Sequence, residues 1–264
     1  MKPTFYLLTR LGIPAGVLFT FYFLLVTFSS AQDIPIGQWR DHMPYSAGIA
    51  VADAGDRVYC ASSSSVFYYD KNAKTFETLS KVNGLSDVGI RAIRYSEKYS
   101  ALVIAYSNAN IDILEGNQIT NMSDIKRKNM VGKKYISSIM FIDKYAILSC
   151  SFGIVVLDIV KKEIKETFYI GPNGDPINVN ESAFDGSWFY AATDKGVYKA
   201  DYYNSNLSDF KSWSKEPGLP DGTYNQAGIL NGKPVVNYYS GWYVHLDRLY
   251  IFDGSSWKFL LDYS

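Results

Sequence analysis

Apolar, strand-like segments recur along this chain at a spacing of 43 to 45 residues. The segments that share this spacing begin at Val58, Leu102, Ala146, Phe189 and Pro234. Each is followed by a polar turn, a second apolar segment that ends on an acid, and a more polar segment; one further strand-like segment precedes it. Four strands in a repeat of this length are typical of a propeller blade. The sequence therefore predicts an all-β fold, a β-propeller of about five four-stranded blades.

The acid that ends the second apolar segment also recurs in every repeat. These acids are Asp70, Glu115, Asp158, Asp201 and Asp253. An aspartate at the end of a strand commonly accepts hydrogen bonds from the backbone of the following turn. We therefore expect these acids to stabilise the outer hairpins of the blades rather than to form a ring of carboxylates in a channel. The last interval is longer than the others, which predicts an insertion at residues 241–246 of the fifth blade.

The segment around Trp39 resembles the segments around Trp213 and Trp257, which are predicted outer strands. An outer strand ahead of the first complete blade has no inner strands of its own. It fits a ring that closes when an N-terminal strand completes the last blade. We therefore predict that residues 32–264 form an incomplete N-terminal propeller, part of a larger ring of roughly seven blades. A small closed ring of five blades is the alternative.

The first 31 residues have the tripartite form of a secretory signal. Lys2 and Arg10 are the only charges before or within an apolar run over residues 11–28, and Ser29, Ser30 and Ala31 supply the small residues of a cleavage site. We therefore expect residues 1–31 to be a signal peptide that directs export. An uncleaved membrane anchor is the alternative, because the apolar run approaches the length that spans a bilayer.

The two cysteines, Cys60 and Cys150, fall in repeats that are two blades apart. A disulfide requires the two Cα atoms to approach within about 7 Å, which this separation prevents. The sequence therefore predicts two buried free thiols, even in an exported protein.

Residue patterns that support catalysis or cofactor binding are not found in the sequence. His42 and His245 are the only histidines, and neither has a cysteine, histidine or acid at the spacing of metal ligands. There is no phosphate-binding loop or dinucleotide-binding glycine motif. Basic and acidic side chains are equal at 26 each, so the chain lacks the excess of positive charge that is typical of nucleic-acid-binding proteins. We expect a protein that is not an enzyme, with no cofactor, metal or nucleic acid.

One basic cluster lies in the predicted loop before the third blade. It comprises Lys126, Arg127, Lys128, Lys133 and Lys134. The cluster is either a solvated loop or a contact for an anionic partner, such as lipopolysaccharide or an acidic protein face.

Two stretches of sequence carry a family resemblance. The motif Asn-Gly-Leu-Ser-Asp at residues 83–87 resembles the inter-blade linker of two-component-regulator propeller repeats, which occur in periplasmic sensors of Bacteroidetes. The runs at residues 36–45, 51–61 and 102–112 are similar to the N-terminal propeller of PorZ-type proteins of the type IX secretion system. The resemblance extends over essentially the whole chain after residue 31 and weakens after Thr120.

The resemblance to PorZ-type proteins implies a function. These proteins are surface-exposed, outer-membrane-associated members of the attachment complex that works with a sortase to join cargo to anionic lipopolysaccharide. The resemblance implies an interaction or scaffold component whose partners are other attachment-complex proteins, including the sortase, with lipopolysaccharide as a partner of the full-length protein. The alternative is the extracytoplasmic ligand-sensing propeller of a hybrid two-component regulator.

Overall fold

The structure is a computed structural model that describes residues 47–203, 205–241 and 246–262. The predicted signal peptide at residues 1–31, the predicted strand around Trp39, and both His42 and His245 lie outside these ranges.

The strands form five separate antiparallel sheets of four strands, in which sequence neighbours pair. The strands of the first two sheets are β1 (Gly48–Asp53), β2 (Arg57–Ser62), β3 (Ser65–Asp70), β4 (Thr75–Ser80), β5 (Ile90–Ser96), β6 (Ala101–Tyr106), β7 (Ile111–Glu115) and β8 (Gln118–Met122). Those of the last three are β9 (Ile136–Ile142), β10 (Tyr145–Cys150), β11 (Gly153–Asp158), β12 (Glu163–Phe168), β13 (Val179–Phe184), β14 (Trp188–Thr193), β15 (Gly196–Asp201), β16 (Ser214–Lys215), β17 (Thr223–Leu230), β18 (Lys233–Tyr239), β19 (Arg248–Phe252) and β20 (Trp257–Asp262). The five sheets, here called blades 1 to 5, confirm the predicted propeller.

Helical structure in the described ranges is confined to single turns. These are α1 (Asp124–Arg127) and two 3₁₀ turns, Pro172–Gly174 and Phe210–Ser212. Within the described residues, no helix is long and apolar enough to cross a membrane.

Apolar cores lie between each pair of consecutive blades, because both faces of an interior blade are covered. Strand β6 of blade 2 shows the principle, since every one of its residues is buried. Successive side chains of a strand point to opposite faces. Leu102 and Ile104 therefore pack in the core shared with blade 1, and Val103 and Ala105 pack in the core shared with blade 3.

The first strand of each blade lies at the centre of the arrangement. The closest packing between neighbouring blades joins β1 to β5, β5 to β9, β9 to β13, and β13 to β17. Strands that approach their counterparts in this way surround a channel, while the fourth strands lie at the periphery. Among the described residues, no comparable packing joins β17 to β1, so the arc of blades is open.

Four of the five recurring acids, the aspartates, stabilise hairpins as predicted. The Asp70 carboxylate accepts hydrogen bonds from the backbone N–H groups of Asn72 and Ala73, at 3.0 and 2.9 Å. Asp158 and Asp253 make the same pair of contacts in their own turns, and Asp201 accepts one such bond. Backbone donors of this kind lower the pKa of Asp253 to about 2.

Glu115 differs from the aspartates at the same repeat position. Its longer side chain forms a salt bridge with Lys162 of blade 3, with the Nζ and Oε2 atoms 2.7 Å apart. This acid therefore links two blades rather than closing its own turn.

The fourth blade departs from the prediction at its outer strand. The sequence suggested a strand over residues 211–214, but β16 begins at Ser214 and has two residues. The reason is local: the Trp213 indole N–H donates to the Leu207 carbonyl at 3.0 Å, and its ring packs against Phe168 and Phe189. These contacts hold a 3₁₀ turn where a longer strand was expected.

Both cysteines are free, as predicted, and they lie two blades apart. Cys150 is fully buried, and burial raises the pKa of its thiol. Cys60 is half-buried rather than buried, because it lies on the face of blade 1 that no other blade covers.

The linker motif at residues 83–87 is fixed by buried contacts with blade 2. Leu85 is buried in the core between blades 1 and 2. The backbone N–H of Ser86 donates to the fully buried Asp112 carboxylate at 2.8 Å. Tyr106 and Asn121 donate to the same carboxylate, at 2.6 and 2.8 Å. The motif therefore ties the linker to the blade that follows it.

Candidate functional site

Every innermost strand has a one-residue β-bulge near its start. The extra residue is skipped in the pairing with the second strand of the same blade, for example between Ile90 and Ala92 of β5. The bulged residues, called the bulge ring below, are Ile49, Arg91, Ser137, Asn180 and Asn225. Bulges redirect side chains and are common beside functional sites. The repeat therefore places one redirected residue from each blade at the channel.

Polar contacts connect the bulge ring across blades 2 to 4. The guanidinium of Arg91 lies 4.3 Å from the centre of the Tyr135 ring. The Tyr135 hydroxyl donates to the side-chain oxygen of Asn178 at 3.1 Å. Tyr135 and Asn178 precede the innermost strands of blades 3 and 4, so these contacts lie at the end of the channel where the inter-blade linkers enter.

The contacts continue from blade 4 to blade 5. The side-chain amides of Asn178 and Asn180 both donate to the Asp194 carboxylate, at 3.0 and 2.9 Å. Asn180 also donates to the backbone carbonyl of Tyr224 at 2.8 Å. The carboxylate of Asp194 therefore accepts hydrogen bonds from two side-chain amides. Asn180 of the bulge ring is bonded both to Asp194 of its own blade and to Tyr224 of blade 5.

Charged side chains of non-adjacent blades influence one another across the channel. Loss of water around Glu181 of blade 4 raises its pKa, and this effect outweighs a hydrogen bond from the Ala227 N–H at 3.3 Å and the nearby charge of Arg94. Arg94 belongs to blade 2, so blade 3 lies between the two residues in the ring. The two residues lie on the innermost strands of blades 2 and 4, which line the channel.

Two buried polar atoms in this region have no hydrogen-bond partner. They are the Ser137 hydroxyl and the side-chain oxygen of Asn237. The amide of Asn237 donates to Asn225 of the bulge ring at 2.7 Å, and to Asp247 at 3.1 Å. Buried polar atoms are nearly always paired, so unpaired ones call for an explanation.

The predicted basic cluster lies in one segment, from α1 to the start of β9, but its members differ in role. Lys126 donates to the Asp87 carboxylate at 2.6 Å. Lys134 donates to the backbone carbonyls of Ile125, Lys126 and Lys128. Both therefore hold the segment in place.

The remaining three cations of the cluster are exposed. Arg127 lies 3.6 Å from Asp124 at the surface, and Lys128 and Lys133 are exposed on either side of a short loop. The tip of this loop is Val131, whose side chain is fully exposed. Arg127, Lys128 and Lys133 are therefore the exposed members of the cluster that are not engaged in holding the segment in place.

The candidate site residues predicted from the sequence did not include Arg91, Arg94 and Glu181. Each lies just after an inter-blade linker, on an innermost strand that is otherwise rich in small or apolar residues. Charged residues on such strands were the available signal. Their proximity across the channel depends on the ring geometry, which the repeat spacing does not specify.

Clefts lie between blades 3 and 4 and between blades 1 and 2. One has a volume of about 300 Å³ between blades 3 and 4, with Phe168, Tyr145 and Tyr202 among its lining residues. The other has about 400 Å³ between blades 1 and 2, lined in part by Arg57 and Tyr95. No group of three or more potential metal ligands occurs in the part of the chain that the structure describes.

Five four-stranded blades around a polar channel make this chain a β-propeller, a class in which channel mouths and loops commonly carry binding sites. A family model described as "TSS9, PorZ, N-terminal beta-propeller domain" matches residues 58–214, more than half of the chain. The chain belongs to this family.

Solved structures show the same fold. PorZ of Porphyromonas gingivalis, described as an essential bacterial surface component of the type IX secretion system, is 23% identical, with a TM-score of 0.69 over 82% of this chain and 28% of that chain. The extracellular domain of a proposed one-component system of B. thetaiotaomicron is 12% identical, with a TM-score of 0.58 over 78% of this chain and 27% of that chain. The β-propeller domain of Cps50 (Swd1) from Myceliophteria thermophila is also 12% identical, with a TM-score of 0.56 over 79% of this chain and 66% of that chain.

The chain spans less than a third of the length of the PorZ structure. Curated proteins gave no match. At these identities the structural similarities concern the fold, and family membership comes from the sequence match.

Proposed function

We propose that this protein is a non-catalytic interaction component of the type IX secretion attachment complex at the Bacteroidetes cell surface. In this role it assists the sortase-linked anchoring of cargo to lipopolysaccharide. The observation that carries the proposal is membership of the PorZ family over residues 58–214. Export by the signal peptide at residues 1–31 and association with the outer membrane belong to the same proposal. Its partners are other attachment-complex proteins, including the sortase, and lipopolysaccharide through the full-length protein.

The exposed faces of the outermost blades support a larger ring. Leu102 and Ile104 of blade 2 are buried by blade 1, whereas Val58 and Cys60, at the same repeat position of blade 1, are only half-buried. On the same face of blade 1, Val51 is 66% exposed. Apolar faces of this kind normally pack against another element. We propose that further blades of a ring of roughly seven cover them, in a propeller domain that begins at residue 32.

The exposed part of the basic cluster is the proposed contact for an anionic partner. The test is charge reversal of Arg127, Lys128 and Lys133 to glutamate. A matched control reverses Lys161, Lys233 and Lys258, which are exposed on the opposite, hairpin side of the blades. We expect the first triple variant to recover less partner from outer-membrane extract and the control to recover the normal amount. Equal recovery by both would exclude the cluster as the contact.

Affinity purification tests the proposed function directly. A tagged copy is expressed in the bacterium that carries the gene, crosslinked mildly in intact cells, and purified from outer-membrane extract. We expect mass spectrometry to identify the sortase and other secretion components above the level in an untagged strain. Recovery of none of these proteins would contradict the proposal.

A second candidate is the ligand-sensing propeller of a hybrid two-component regulator. It is supported by the structural similarity to an extracellular domain from B. thetaiotaomicron that is described as part of a proposed hybrid two-component system, with 12% identity and a TM-score of 0.57. The same purification separates the two, because a sensor would be recovered with, or as part of, a histidine kinase rather than with a sortase.

A further inference from the structure

Two arginines of the innermost strand of blade 2 have no acidic partner. Arg91 and Arg94 are both exposed on β5. In the described part of the chain, the arginines that form salt bridges are Arg57 and Arg127. The Arg91 guanidinium rests on the Tyr135 ring, which orients its plane and leaves the N–H groups at its edge available. The channel therefore presents two guanidinium groups that form no salt bridge within the described residues and could form charge-assisted hydrogen bonds with a carboxylate.

The residues beside these arginines are neutral hydrogen-bonding groups. The bulge ring continues through the Ser137 hydroxyl to the side-chain amides of Asn180 and Asn225. The Ser137 hydroxyl has no partner, and neither has the side-chain oxygen of Asn237, a residue that is only 5% exposed. Both atoms are buried, and the Asn180 amide already donates to Asp194 and Tyr224, so the arginines rather than these groups are available to a ligand.

The backbone of the channel supplies further hydrogen-bonding capacity. Each innermost strand pairs with one neighbour only, so its channel-side edge has no strand beside it. Alternate N–H and C=O groups along such an edge can bind an extended chain. The Tyr135 ring is covered by Arg91, which removes one flat aromatic surface on which a sugar ring could stack. The lining therefore favours a peptide over a carbohydrate.

We infer that the channel binds an extended peptide segment of a partner protein, and that Arg91 and Arg94 bind a carboxylate side chain of that segment. The channel-side edges of the innermost strands, which have no strand beside them, bond the peptide backbone. The channel is a site distinct from the basic cluster. Peptide binding there would not depend on whether the protein belongs to a secretion system or to a sensor.

Glu181 is an acid on the innermost strand of blade 4, and its charge interacts with that of Arg94. Its negative charge, when present, repels an incoming carboxylate and attracts Arg94. Removal of that charge should therefore strengthen acidic-peptide binding. The affinity of a ligand bound elsewhere on the surface would not change on this substitution. Glu181→Gln therefore tests whether the peptide binds in the channel.

The experiment measures fluorescence anisotropy with a labelled, capped peptide of alternating serine and glutamate, at low salt. The variants are the double substitution Arg91→Gln with Arg94→Gln, and the single substitution Glu181→Gln. The matched control is Lys161→Gln with Lys233→Gln, which removes the same charge from the hairpin side. Circular dichroism and thermal unfolding check that each variant folds.

We expect the arginine variant to bind roughly tenfold more weakly than the unaltered protein, and Glu181→Gln to bind severalfold more tightly. The control should bind normally, and a serine–glutamine peptide should bind weakly to all. The inference is overturned if the peptide does not bind, or if the arginine variant binds as well as the control. It is also overturned if binding is lost on substitution of Arg127, Lys128 and Lys133 instead, or if an acidic oligosaccharide displaces the peptide at lower concentration than a second acidic peptide does.

Discussion

Lys126 of α1 and Asp87 of the first inter-blade linker form a salt bridge, with the Lys126 Nζ and Asp87 Oδ2 atoms 2.6 Å apart. Burial of the Asp87 carboxylate would by itself raise its pKa, but hydrogen bonds from Lys126, Asn108 and the Val88 N–H together lower it to about 2. A residue of the predicted partner-binding cluster therefore stabilises the fold, since it joins the linker before blade 2 to the linker after it.

The first prediction concerns the pH dependence of this contact. Because the folded-state pKa of Asp87 is below the ordinary value of 3.8, its stabilising effect is complete above that value and is lost as the pH falls towards 2. Asp87→Asn should lower the free energy of unfolding by about 1–2 kcal/mol near pH 7, and by clearly less near pH 3. Urea unfolding at both pH values measures this. A constant difference between the proteins would show that the charged carboxylate is not responsible.

The second prediction concerns the buried carboxylate of Asp112, which holds the linker motif. Tyr106→Phe removes the hydroxyl that donates to it at 2.6 Å and leaves a buried acceptor with one bond fewer. We expect a loss of about 1–2 kcal/mol in the free energy of unfolding. Tyr203→Phe, at a residue that is 68% exposed, is the control and should change stability by less than about 0.5 kcal/mol. Similar effects of the two substitutions would contradict this role of the Tyr106 hydroxyl.

The third prediction concerns Lys199, which lies between blades 4 and 5. Its Nζ atom lies 4.2 Å from the Trp188 ring and 5.0 Å from the Phe252 ring, and 4.0 Å from the buried carboxylate of Glu216. Lys199→Met keeps the apolar stem but leaves Glu216 without a nearby cation. We expect a loss of about 1–3 kcal/mol.

Lys195→Met is the control for Lys199→Met, because Lys195 is exposed in the turn after β14. Thermal unfolding of the two variants provides the comparison. If Lys199→Met were as stable as the control, the aromatic rings and Glu216 would not depend on the cation.

The fourth prediction concerns Gly153 at the start of β11. Its φ of +142° disfavours any side chain, and an added Cβ would lie 2.2 Å from the Phe168 backbone carbonyl oxygen. Gly153→Ala should therefore reduce stability by more than about 2 kcal/mol. Gly116 also has positive φ but has open space around it, so Gly116→Ala should cost about 1 kcal/mol. Equal losses in urea unfolding would mean that the backbone of β12 moves away at little cost.

The sequence predicts the blades well because the features that form them are local. Alternating apolar strands, turn residues and the aspartates at the hairpins all lie within one repeat, so spacing alone identifies them. The short β16 was missed because the Trp213 ring packs against Phe168 of blade 3 while its indole N–H donates to the Leu207 carbonyl. Packing of this kind has no periodic signal in the sequence.

The candidate site was less predictable for the same reason. Lys126 and Lys134 belong to a basic run in the sequence, yet one binds a linker carboxylate and the other binds backbone carbonyls. Arg94 and Glu181 are far apart in the sequence, and the fold places them on the innermost strands of blades 2 and 4, which line the same channel. A charge pattern therefore identifies the exposed cations, but ring geometry determines which charges meet.

We propose that the protein acts in the anchoring of secreted cargo at the cell surface. The most direct measurement deletes the gene in the bacterium that carries it and follows one type IX cargo protein by cell fractionation and immunoblotting, with a complemented strain as control. We expect cargo linked to lipopolysaccharide to disappear from the surface of the deletion strain and to return on complementation. Unchanged amounts of surface-anchored cargo in the deletion strain would contradict it.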